Sequence, residues 1–102
     1  MNGVPELLIL SELARGEMYG YQLVRAIEAK TREAISLSEG SLYPLVHLLE
    51  HKGWLASRRA TADGRVRVYY RLTPKGAKRL EALMTRWDGL TRAIGAAIGR
   101  PT

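Results

Sequence analysis

The order helix, helix, helix, β-hairpin, long helix predicts a mainly α, α+β fold: a winged helix-turn-helix with a long C-terminal dimerisation helix. Three observations carry this reading. The chain before residue 53 divides into three short stretches with helical spacing and stop signals. The next segment alternates about an Asp63-Gly64 turn and is strongly basic. The last stretch, residues 74 to 97, carries one narrow apolar stripe.

Residues 5 to 15 read as the first helix. Pro5 suits a first helical position, and Gly16 ends the run. Leu7, Leu8, Ile9, Leu10, Leu13 and Ala14 cover more than half the circumference, so this helix is expected to be covered on several sides, by its own core and by a partner. The second helix is expected over 19 to 31, where Leu23, Val24 and Ile27 share a face and Lys30 suits the C-terminal end. Ile35-Ser36-Leu37 is too short for more than a strand fragment. Ser38 is placed as an N-cap, because its hydroxyl can accept from the free N–H groups of the next turn. The third helix then runs to Lys52, and Gly53 stops it. Leu42, Leu45, Val46 and Leu49 form its apolar stripe. Gly40, Tyr43, Pro44, His47 and His51 fall on the opposite face, with Pro44 read as early enough to be tolerated.

Two strands follow, 54 to 60 and 65 to 72. In the second, Val66, Val68, Tyr70 and Leu72 point one way, and Arg65, Arg67, Tyr69 and Arg71 point the other. Asp63-Gly64 is a hairpin signal, since glycine accepts positive φ. Thr73-Pro74 opens the last helix as an N-cap followed by proline. That helix spans about 35 Å at roughly 1.5 Å per residue. Leu80, Leu83, Met84, Trp87, Leu90, Ile94 and Ile98 make its stripe. Residues 5 to 73 are too small to cover all of it, so an identical chain is expected to cover the rest. Residues 99 to 102 are expected to fray.

With 102 residues, 46% hydrophobic and 25% charged, the chain fits one compact unit. Residues 1–73 form the expected DNA-binding domain and 74–102 the dimerisation helix. No cysteine is present, which excludes disulfides and thiolate metal sites and is compatible with a reducing cytoplasm. The first six residues lack a basic signal-peptide region. No apolar run approaches the roughly 20 residues of a membrane span. The net charge is +6, and residues 52 to 79 hold nine bases against one acid, Asp63. A basic block inside an otherwise neutral-to-acidic chain reads as a footprint for a polyanion, with a solvated basic surface as the plainer alternative. No nucleophile with a base, no paired carboxylates and no phosphate loop are found, so neither an enzyme nor a cofactor is expected. His47 and His51 are spaced i, i+4, but no third ligand completes a metal site.

Four strings then stand out: Glu17-Met18-Tyr19-Gly20-Tyr21, Ser38-Glu39-Gly40-Ser41-Leu42-Tyr43-Pro44, Leu48-Leu49-Glu50-His51-Lys52-Gly53, and Tyr69-Tyr70-Arg71-Leu72-Thr73-Pro74-Lys75-Gly76. In this order, on these elements, they resemble the PadR family of prokaryotic transcription regulators over roughly residues 5 to 85. The single helix after the hairpin is similar to the small subfamily. The resemblance implies a homodimer paired through its last helix. It implies binding to a pseudo-palindromic double-stranded operator, usually as a repressor. It also implies a planar aromatic effector at the dimer interface.

For DNA contact, a recognition helix leads with its N-terminal residues. Gly40 permits close approach, Ser41 and Tyr43 offer hydroxyls, and His47 sits further along the same face. Arg65 and Arg67 on the hairpin are placed to reach a minor groove or its phosphates. The resemblance supports Tyr19, Ser41, Tyr43 and Pro44 more than the arginines. Tyr69 and Tyr70 are read as packing residues. Trp87 is either a dimer-core anchor or a stacking platform for a flat effector, with Met84, Leu90, Leu7 and Leu8 as lining and Ile94 on the same interface. Competing functions are a winged-helix module that binds protein or RNA, and an architectural protein that binds DNA without sequence preference.

Overall fold

A computed structural model describes residues 3–100. Its elements are α1 (Val4–Leu13), β1 (Met18–Tyr19), α2 (Gly20–Lys30), α3 (Glu39–His51), β2 (Leu55–Ala62), β3 (Arg65–Leu72) and α4 (Pro74–Ala97). This is a winged helix-turn-helix followed by one long helix.

The caps that define the elements are those the local sequence demands. The Ser38 hydroxyl accepts from the Ser41 N–H at 3.1 Å, and the Thr73 hydroxyl accepts from the Gly76 N–H at 2.9 Å. Asp63 and Gly64 take φ of 53° and 75°, the pair of left-handed residues a two-residue hairpin needs. The strands are thus joined at once, and β2 runs two residues further than the spacing suggests, to Ala62.

The third strand was not legible. Ile35-Ser36-Leu37 forms no strand; it is a loop whose Ile35 N–H bonds the Thr31 hydroxyl at 3.2 Å. The free edge of β3 is taken instead by β1, with Met18 opposite Tyr70 and Tyr19 opposite Tyr69. Two residues carry no periodicity, so only the pairing reveals them.

One core joins the elements. Ile9, Leu10 and Leu13 of α1 meet Leu23 and Ile27 of α2, Leu42, Val46 and Leu49 of α3, and Leu55 and Tyr70 of the sheet. The one buried charge among the described residues, Glu12, pairs with Lys30 at 2.9 Å. Leu80 and Leu83 bring the start of α4 onto this core. Gly76 permits that contact, because a Cβ there would strike the Trp54 carbonyl oxygen and lie 2.8 Å from Leu72 Cδ1. Beyond Leu90 the helix projects from the body, and the described residues together extend 55 Å by 28 and 21 Å. Met84, Trp87, Ile94 and Ile98 are 42–64% exposed. At the end of α4 the Arg100 N–H bonds the Gly95 carbonyl at 2.7 Å, closing the last turn. Pro101 and Thr102 lie outside the described residues. Among the described residues, no helix is long and apolar enough to cross a membrane.

Candidate nucleic-acid interface

The exposed face of α3 carries the residues the spacing put there. Gly40, Ser41, Tyr43, Pro44 and His47 are all exposed, while Leu42, Val46 and Leu49 are buried behind them. Pro44, however, is the sixth helical residue, one turn later than a first-turn proline. The helix continues through it. Ser41 is partly occupied: its N–H meets the Ser38 cap and its hydroxyl accepts from the Ser38 hydroxyl at 3.1 Å. The Tyr43 hydroxyl donates to Glu39 Oε1 at 3.3 Å. Burial, and then the Glu39 carboxylate, push the Tyr43 phenol above its ordinary range. It is therefore a neutral O–H donor at physiological pH.

Tyr43 also ties α3 to α2. A Cβ on Gly20 would sit 2.6 Å from the Tyr43 hydroxyl oxygen, so this close approach needs glycine. Next to Gly20, Tyr19 N-caps α2, and its N–H bonds Gln22 Oε1 at 3.2 Å. Tyr19 is at the same time a strand residue, paired with Tyr69 on the hairpin. Its ring meets Tyr69 edge-on at 5.6 Å, and the Arg67 guanidinium lies 4.3 Å above it. On the far side of Tyr69 lies Arg58, at 5.0 Å. Two edge-on rings with a guanidinium at each end therefore form a ladder that joins the helix pair to the hairpin, each cation–π contact contributing about 0.5–1 kcal/mol at an exposed site. It holds Arg67 in place before any ligand arrives. Arg65 stands free near the hairpin tip, where Val66 is also exposed because the hairpin extends beyond the core.

The basic block is smaller than its sequence count. Arg79 donates to both Glu6 carboxylate oxygens at 3.2–3.3 Å and stacks 4.6 Å over Trp54. Lys75 donates to the Lys52 carbonyl at 2.9 Å. Arg58 is held by Glu17, with Nε 2.9 Å from Oε2. Arg59, Arg65, Arg67, Arg71 and Lys78 have no ion pair among the described residues. The inward turn of Arg79 and the Glu17–Arg58 pair escaped the sequence, since each joins distant segments with no shared local pattern.

Glu17 carries a pH signature. Its hydrogen bond to Arg58, and then the charges of Arg58 and Arg71, hold its carboxyl below the ordinary range. A depressed folded-state value gives stability that is present above the unfolded carboxylate range and lost as pH falls through the folded value. Both partners are solvent-exposed, so the effect is small. Glu17→Gln is expected to flatten slightly the acid limb of melting temperature against pH. An unchanged acid limb would remove Glu17 as a contributor.

The second expected cluster assembles only in part. Leu7, Trp87 and Leu90 line a cleft of about 140 Å³ between α1 and α4, together with Glu6, Leu83, Arg79 and Arg86. Leu8 packs against the core instead, since neighbouring helical residues are about 100° apart. Met84 lies about 60° around α4 from Trp87, and Ile94 about 10 Å further along it, past the end of α1. Both are exposed outside the cleft.

A helix-turn-helix with a basic hairpin beside its exposed helix defines the winged-helix class. The model of the transcriptional regulator PadR-like family matches residues 9–82, and the chain belongs to that family. It is similar to the transcriptional regulator Rv3488 of Mycobacterium tuberculosis, with 39% identity over 88 residues, covering 86% of this chain and 79% of the relative. A transcriptional regulator from Clostridium thermocellum superposes with a TM-score of 0.85 at 32% identity, covering 92% of this chain and 89% of the other. Bacillus subtilis PadR in complex with operator DNA superposes at 0.72 with 23% identity, covering 79% of this chain and 46% of the other, a likeness of fold.

Proposed function

We propose that this PadR-like chain is a cytoplasmic, sequence-specific DNA-binding repressor that works as a homodimer without catalysing a reaction. The observation that carries the reading is a shared surface. The exposed face of α3 (Gly40, Ser41, Tyr43, Pro44, His47) is tied through Gly20 and Tyr19 to Arg67 on the hairpin. Residues 1–73 enter DNA: α3 lies in a major groove and the hairpin reaches the flanking backbone or minor groove. The DNA complex of Bacillus subtilis PadR, of the same fold, supports this docking. Fluorescence anisotropy at fixed salt, with duplex from immediately upstream of its own gene and with random duplex, tests it. Preference for the upstream duplex by 1,000-fold or more is expected of a specific regulator. Equal affinity would favour an architectural role, and no affinity a protein-binding role.

Residues 74–102 pair the two copies. The uncovered stripe of Met84, Trp87, Ile94 and Ile98 supports this, because apolar surface of this extent marks an interface. The cleft at Trp87 supports an effector site completed across the dimer. A drug-sized ligand needs roughly 300–1,000 Å³, more than the 140 Å³ one protomer offers. A planar aromatic effector stacked on Trp87 would shift the half-site spacing and release the operator. Titrating planar dyes into Trp54→Phe, which leaves Trp87 as the sole indole, should give a saturable fluorescence change. A flat trace would leave Trp87 as a dimer anchor alone.

A further inference from the structure

Pro44 sits in the second turn of α3, inside a continuous helix. It has no N–H, so the Gly40 carbonyl one turn earlier lacks the donor an α-helix normally provides. Gly40 and Pro44 are both exposed, on the face that carries Tyr43 and His47. An exposed backbone carbonyl without a protein donor is one that water can satisfy. Pressed against another molecule it would lose the water and require a donor.

Gly40 provides a second, independent observation. Nothing inside the chain requires glycine there. Its backbone is helical, and an added Cβ would meet only Ser38 Oγ, at an ordinary 3.7 Å. Glycine weakens a helix relative to alanine. The reason for it therefore lies outside the chain, in a partner that comes closer to the backbone than a Cβ allows. The bare Cα and the unpaired carbonyl belong to the same residue.

We propose that the Gly40 carbonyl, freed by Pro44, is a specificity determinant that accepts a hydrogen bond from the exocyclic amine of one cytosine or adenine in each half-site. In the major groove only these two bases present a donor, whereas guanine and thymine present acceptors and a methyl group. The inference rests on the DNA-binding reading above and adds to it a base-reading atom that belongs to the backbone. The side chain of His47, about two turns beyond Gly40, reads independently.

Selection from a randomised duplex pool, run in parallel with wild type, P44A and G40A, tests this. P44A restores the N–H at position 44 and closes the Gly40 carbonyl, so it should melt at or above the wild-type temperature. Wild type is expected to select a pseudo-palindrome that requires cytosine or adenine at one position per half-site. P44A should lose that requirement and keep the others. Replacing the base by 2-pyrimidinone or purine, which lack the amine, should cost wild type about tenfold in affinity and P44A little. G40A should weaken binding to every duplex, by placing a methyl between helix and groove. An unchanged motif with P44A overturns the proposal. So does loss of a thymine position with P44A, which would mean that the proline ring reads a methyl group, and so does undiminished binding by G40A. In each of these cases wild-type selection leaves the DNA-binding reading intact. A wild type that selects no motif removes both.

Discussion

Gly76→Ala is expected to destabilise the protein by about 3 kcal/mol or more, lowering the melting temperature by roughly 12 °C or more. Gly76 is the third residue of α4, and a Cβ there would collide with the Trp54 carbonyl oxygen, a backbone atom that cannot swing aside. The same turn is held by the Thr73 hydroxyl, which donates to the Gly53 carbonyl at 2.6 Å and accepts from the Gly76 N–H. Relief of the clash would push α4 away from β2, breaking these bonds and lifting Leu80 and Leu83 off the core. Gly89→Ala is the internal control. It lies in the same helix with no atom near its missing Cβ, and should stabilise by up to about 1 kcal/mol. Urea unfolding of both variants checks the pair. Equal stability for G76A and wild type would show that the start of α4 adapts freely.

Arg65→Ala with Arg67→Ala is expected to weaken binding to every duplex by on the order of 100-fold, two charge-assisted contacts at about 1.5 kcal/mol each. Specific and random duplex should lose affinity alike, because phosphate contacts carry no sequence information. The slope of log K against log salt should flatten by about 1.8, at 0.9 per phosphate contact. The ladder separates the two arginines. Arg67 is held over Tyr19 and needs little ordering, whereas Arg65 must be immobilised on binding. The single Arg67→Ala change should therefore account for the larger share. Anisotropy titrations at four or more salt concentrations measure this, and an unaltered slope would remove both arginines from the interface.

Most of the candidate surface was legible, because its residues lie on single elements. Tyr43, Pro44 and His47 share a face of α3 by helical spacing, and Arg65 and Arg67 share a face of β3 by alternation. The cleft beside Trp87 was legible only along α4, where Trp87 and Leu90 stand one turn apart. Its partner residue could not be chosen between Leu7 and Leu8, since an all-round apolar helix gives no preferred face. The role of Tyr19 as strand, cap and cation platform was not legible at all. Its partners Tyr69 and Arg67 are some fifty residues away, and two residues of β1 leave no pattern.

The amino-acid order alone determined the succession of helices and hairpin, the caps at Ser38 and Thr73, and the uncovered apolar stripe of α4. Spacing, capping and turn chemistry act within a few residues and need no neighbour. Tertiary structure alone decided which basic side chains remain available to a polyanion. Arg79 reaches Glu6 across 73 positions and Arg58 reaches Glu17 across 41, so charge counted along the chain overstates charge presented at the surface. It also decided that β1, not residues 35 to 37, completes the sheet, because strand pairing is settled by which free edge a folded segment can reach.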